Sequence, residues 1–142
     1  WLDPFDVGLP TVVAREISRS ALFAQATPLA DETAYTLEMV VHNFRGYWPH
    51  GAWNHLVPWS DMRIDAVVDI EFFFWGRTAD GDLGDLLFHR RYRQESHRTV
   101  GPFADGHRVA AEEIGRSLHL ALRSLLVDLE TEMGSWRASS GR

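Results

Sequence analysis

The chain has 142 residues, 45% of them apolar, with 14 basic and 20 acidic side chains and a formal net charge of −6. That length suits one domain with a core of its own, and the acidic balance argues against a general nucleic-acid binder, which needs surplus positive charge to neutralise phosphate. Without Cys, disulfides, zinc–thiolate sites and Cys nucleophiles are excluded within this stretch, and no apolar run reaches the ~18 residues of a membrane span.

All the basic residues are Arg. The chain begins at Trp1 with no Met, signal peptide or lipobox, and reads as a mature fragment or the ordered part of something longer. Trp1 to Gly8 reads as irregular, broken by Asp3-Pro4. Pro10 suits the first turn of a helix, where its missing N–H costs nothing. Val13, Ile17 and Ala21 recur at four-residue spacing beside Leu9 and Val12, which predicts an amphipathic helix over about 10–23.

From Ala34 the period becomes two. Tyr35, Leu37, Met39 and Val41 alternate with Thr36, Glu38 and His42, a strand with one wet face. A second strand carries Ile64, Ala66, Val68, Ile70, Phe72 and Phe74 against Asp65, Asp69 and Glu71. Turn residues over Thr78–Asp85 lead into Leu86, Phe88 and Tyr92, alternating with His89, Arg91 and Arg93: a hairpin. Folded about Gly81, it would set Asp69 opposite Arg93, Glu71 opposite Arg91, and Phe74 against Phe88 on the other face. The basic run from His89 to Arg98 then reads as a paired, solvated face.

Gly101-Pro102 breaks the strand, and Ala110, Ile114, Leu118, Leu122, Leu125, Leu129 and Met133 form one stripe of a long helix from about Asp105 to Met133. Arg137 to Arg142 reads as a frayed tail. The expectation is a single α+β domain over residues 1–136. Its antiparallel sheet has three to four strands with two helices on one face, in the order α-β-β-β-α, with room for a further N-terminal strand.

Catalytic patterns are absent: there is no Gly-x-Ser-x-Gly elbow, phosphate loop or Rossmann fingerprint. No cofactor is expected. His50 and His55 match the His half of a zinc finger without its Cys half, and His42, His89 and His97 read as surface or hydrogen-bonding residues, so no metal site is expected. Asp80, Asp82 and Asp85 lack calcium-loop spacing and a closing Glu, which leaves a polar turn. Glu112-Glu113 near a helix start suit the macrodipole.

The most unusual segment runs from Tyr47 to Trp59 and holds Trp48, Trp53 and Trp59 among Pro and Gly. Two readings stay open. In one, the rings fold back to cap the core. In the other, Tyr47, Trp48, Trp53 and Trp59 stay exposed as a contact for a protein partner or a membrane, with Arg45 and Arg63 flanking them to meet lipid headgroups or an acidic partner. A competing function is a carrier for a lipid or other apolar small molecule, in a pocket between sheet and helix. Phe73 and Trp75, with Phe72, Phe74 and the loop Trp residues, would line it. The alternative for Phe72–Trp75 is a strand buried on both faces.

Taken together, Ala14-Arg15-Glu16-Ile17-Ser18-Arg19-Ser20-Ala21-Leu22-Phe23, the strand start Thr33-Ala34-Tyr35-Thr36-Leu37, the strand Leu86-Leu87-Phe88-His89-Arg90-Arg91-Tyr92 and the Ala/Leu-rich helix Val109 to Leu129 resemble the bacterial ABC-type transport auxiliary lipoproteins, the PqiC-like family. The resemblance spans about residues 10–130, and more distant similarity extends to LptE-like and secretion-ring envelope lipoproteins. It implies a non-enzymatic lipoprotein domain on the periplasmic face of the outer membrane, an accessory or assembly component of a transport or secretion complex, able to self-associate. Membrane attachment would come from an upstream lipid anchor, with no nucleic-acid partner. The family's lipidated Cys and a strand before the first helix have no counterpart here; a place upstream of Trp1 is open to both.

Overall fold

The computed structural model describes residues 4–20, 22–23, 26, 34–47 and 61–140, without the side chains of 4–7 and 136–140. Helix α1 spans Pro4–Arg19, strand β1 Tyr35–Tyr47, β2 Met62–Arg77, β3 Leu83–Val100 and helix α2 Gly106–Ser140. The three strands form one antiparallel sheet in the order β1-β2-β3, so the fold is α+β with the element order α-β-β-β-α. No fourth strand occurs among the described residues.

Helix α1 starts six residues before the expected position and stops four before the expected end. Pro4 takes the first helical position, and Pro10 sits inside the helix, where it forgoes one bond to the carbonyl of Asp6. Ser20 ends the helix: its N–H reaches the Glu16 and Ile17 carbonyls, and its hydroxyl donates to the Ile17 carbonyl at 2.6 Å. At the start of α2, Asp105 accepts from the N–H groups of His107 and Arg108 at 3.1 and 3.2 Å, an N-cap that satisfies two orphan donors. Helix α2 runs on to Ser140, through much of the segment expected to fray. Neither Gly134 nor any Pro stops it, and its 35 residues reach about 52 Å.

The β2–β3 turn is tighter than the eight-residue loop expected. Thr78 N–H donates to Asp82 O, Gly81 N–H donates to Thr78 O, and Gly81 has φ +86°. This is a three-residue loop, Ala79-Asp80-Gly81, whose last position must be left-handed, the reason Gly stands there. Because Gly81 closes the loop and is not its centre, the register differs by one step from a fold about Gly81. Asp69 pairs with Arg91, not Arg93, and counting back from Thr78–Asp82 sets Phe88 opposite Phe72. Phe74 packs on Phe23 and Tyr35, with centroids 5.6 and 5.2 Å away.

The chain divides into two compact units, and every strand and α2 pass through both. The first holds α1, residues 35–39 of β1, 72–77 of β2, 83–90 of β3 and α2 from Leu122. Its core is Leu9, Val13, Ala14, Ile17, Phe72, Phe74, Phe88, Leu122, Leu125 and Leu129. The second holds residues 40–47 of β1, 62–71 of β2, 91–100 of β3 and α2 to Ala121. There the even side chains of β2 (Ile64, Ala66, Val68 and Ile70) are buried with Tyr92, Val109, Ala110, Leu118 and Ala121. Ile64 packs with Val109 and Ala110, so α2 covers this face.

Strand β1 closes on α2 in that second unit. A Cβ on Gly46 would lie 2.8 Å from the Ala110 Cβ and 3.0 Å from the Ile114 Cδ1, so only Gly allows this approach. His42, four residues earlier, instead meets Glu71 on the face turned from α2. Regular alternation would put positions 42 and 46 on the same face. The alternation of β1 therefore changes phase between His42 and Gly46, as at a β-bulge.

Candidate functional site

In the second unit, the sheet face turned from α2 is a ladder of paired charges. Arg91 grips Asp69 with two bonds, Nε to Oδ1 and Nη2 to Oδ2, both 2.7 Å. Asp69 is only 2% exposed, whereas the Arg91 side chain is 51% exposed and shields the carboxylate from above. The bidentate geometry gives parallel, charge-assisted bonds. The Arg91 hydrogen bonds hold the Asp69 carboxyl below its ordinary pKa against the opposing effect of burial, and the charges of Arg91, His42 and Arg93 add to that lowering. The same bonds raise Arg91. Beside them, the His42 ring N–H donates to Glu71 at 2.7 Å, Arg93 donates twice to Glu95, and Arg63 donates to Asp65 at 2.7 Å.

Under α2 lies a second polar group. Ser117 donates to the Ser96 hydroxyl at 3.0 Å, and Ser96 donates to the Glu113 carbonyl at 3.2 Å. Glu113 is 1% exposed; its Oε1 lies 3.9 Å from Arg116 Nε, and its Oε2 has no hydrogen-bond partner. Glu112, its neighbour, points outward to Arg98 at 3.0 Å and Arg108 at 3.8 Å. The adjacent acids thus part ways. The dipole argument treats them alike, but Glu113 falls three residues after Ala110 and four before Ser117, on the buried stripe. That spacing was the signal that set it apart.

The residues singled out by sequence divide as follows. Trp48, Trp53 and Trp59, with His50 and His55, lie outside the described residues. Tyr47 ends β1 and is 57% exposed; Arg45 is exposed on the same strand, and Arg63 is exposed near the start of β2. In the first unit Phe73 is half-buried, stacked on His89 with centroids 4.4 Å apart, and Trp75 donates from Nε1 to Glu38 at 3.3 Å. Phe72 and Phe74 are buried in the core, so the run Phe72–Trp75 alternates between two faces and does not line one pocket. Among the described residues no three His, Asp or Glu side chains come together as metal ligands, and no described helix is long and apolar enough to cross a membrane.

Four acid–base pairs, Asp69–Arg91, Glu71–His42, Glu95–Arg93 and Asp65–Arg63, thus set the charge pattern of this face, an arrangement that suits recognition of a surface. No known protein family matches the chain, and no characterised protein or solved structure is measurably similar to it.

Proposed function

We propose that this chain is a non-enzymatic component of a bacterial envelope transport or secretion complex, a lipoprotein domain at the periplasmic face of the outer membrane that works through protein–protein contacts. The sequence resemblance to the ABC-type transport auxiliary lipoproteins motivates the reading, and the α-β-β-β-α order is compatible with it. The observation that carries it is the sheet itself. Three strands leave β1 and β3 with one unpaired side each among the described residues, and β3 is 18 residues long. Such an edge presents a row of N–H and C=O groups that another chain can complete.

The test is the intact mass of the native protein purified from the membrane fraction of its source. A mature N-terminal Cys carrying diacylglycerol and acyl chains, with transport or secretion proteins captured alongside, is the expected result. An unlipidated protein in the soluble fraction overturns the proposal.

A further inference from the structure

We infer that β3 is a self-complementary edge, and that its partner is the β3 of a second copy of this chain, paired antiparallel about Gln94. The two edges of the sheet are not equal. Strand β1 is bulged between His42 and Gly46, and a bulge blunts an edge against further pairing. Along Arg91–His97, β3 alternates regularly, with no Pro or Gly.

Charge on an edge strand ordinarily repels newcomers. Here that defence is largely neutralised from within the chain: Arg91 is held by Asp69 and Arg98 by Glu112. Arg93 and Glu95 differ. They sit two apart on the same face of β3 and pair with each other along the strand, with side chains 61% and 57% exposed. A two-fold axis through Gln94 sets Arg93 opposite the second copy's Glu95, and Glu95 opposite the second copy's Arg93. Two intrastrand pairs then become a closed square of four alternating charges.

The backbone allows the same register. Counting in twos from the bonded Thr78–Asp82 pair, even residues of β3 turn their N–H and C=O toward β2, and odd residues turn theirs outward. Among the described residues, 91, 93, 95 and 97 therefore turn donors and acceptors to an edge with no neighbouring strand, and pairing about Gln94 matches 93 with 95 and 91 with 97. Directly opposed side chains in such a pair lie ~5 Å apart, close enough for the square to form.

This inference deepens the assembly reading by naming a partner, yet it can fail separately: its result is a molar mass, whereas lipidation and capture of transport proteins test the reading itself. Sedimentation equilibrium of the full chain should show a dimer. Arg93→Glu and Glu95→Arg each place like charges across the axis and should each weaken dimerisation at least about tenfold. Mixing these two single variants in equal amounts should restore a dimer, because each supplies what the other lacks. The double variant carrying both changes should dimerise alone. At concentrations low enough that parent and variants are all monomeric, their melting curves should match, since both side chains are exposed. A chain that stays monomeric up to about 100 μM, or a dimer indifferent to both reversals, overturns the inference.

Discussion

Asp69 shows how one residue ties a sheet face to solution conditions. Its carboxyl titrates below its ordinary value in the folded chain because Arg91 hydrogen-bonds it, and returns to about 3.9 when the chain unfolds. The stability it contributes is therefore complete above that unfolded value and is lost as pH falls through the lowered folded value. Melting temperatures of the parent and Asp69→Asn, measured across pH, should differ most near neutrality and converge in acid. A gap that stayed constant with pH would contradict this account. Glu113 presents the opposite case, a buried oxygen with no hydrogen bond. An unsatisfied buried acceptor costs about 1–3 kcal/mol, and its ion-pair contact with Arg116 is long, at 3.9 Å. Glu113→Met should thus raise stability by an amount in that range in urea titrations, although it removes a charge from the chain. Neither residue's role could be read from its own identity. Asp69 needed the hairpin register to find its partner, and Glu113 needed its place on the helical stripe.

At the level of elements, period was the dependable signal. The period-two runs from Tyr35 and from Ile64 became β1 and β2, and the seven apolar residues from Ala110 to Met133 became one side of α2. What escaped was set by local competition for backbone bonds. Pro4 outbid Pro10 for the helix start, and Ser20 closed α1 at its own carbonyls. The Gly81 conformation shifted the register by a step, so an expected Asp69–Arg93 pair became Asp69–Arg91. The bulge in β1 left no trace in the run His42-Asn43-Phe44-Arg45-Gly46, because alternation that changes phase looks like a weak strand. The Trp-rich segment stays an expectation carried by composition alone. Helix α2 offers a direct check of its own stripe. Leu125 is fully buried, whereas Val127, two residues on, is 56% exposed. Leu125→Ala should cost about 2–5 kcal/mol, and Val127→Ala less than ~0.5 kcal/mol. Equal losses by chemical denaturation would mean that the stripe has been misplaced.

For the whole molecule, the stretch Ile64–Ile70 is the hydrophobic half of the second unit, and the cover over Ile64 arrives with Val109 and Ala110 of α2. A chain ending at Asp105 should therefore bind an apolar dye strongly and precipitate, while the full chain does neither; a well-behaved shortened chain would show that α2 is dispensable to this core. The order of synthesis gives this a temporal meaning. The hairpin is joined by three residues, so it can close as soon as Val100 leaves the ribosome, before the last buried turn of α2, at Leu129, has followed it out. At ~5–20 residues per second that interval is roughly 1–6 s. During it a finished sheet shows its greasiest face to the cell, at the very edge-bearing stage when strands from neighbouring nascent chains could add to it. The long C-terminal helix thus acts as a late seal, and the rate at which it is translated and docks decides how many chains reach the folded state unassisted.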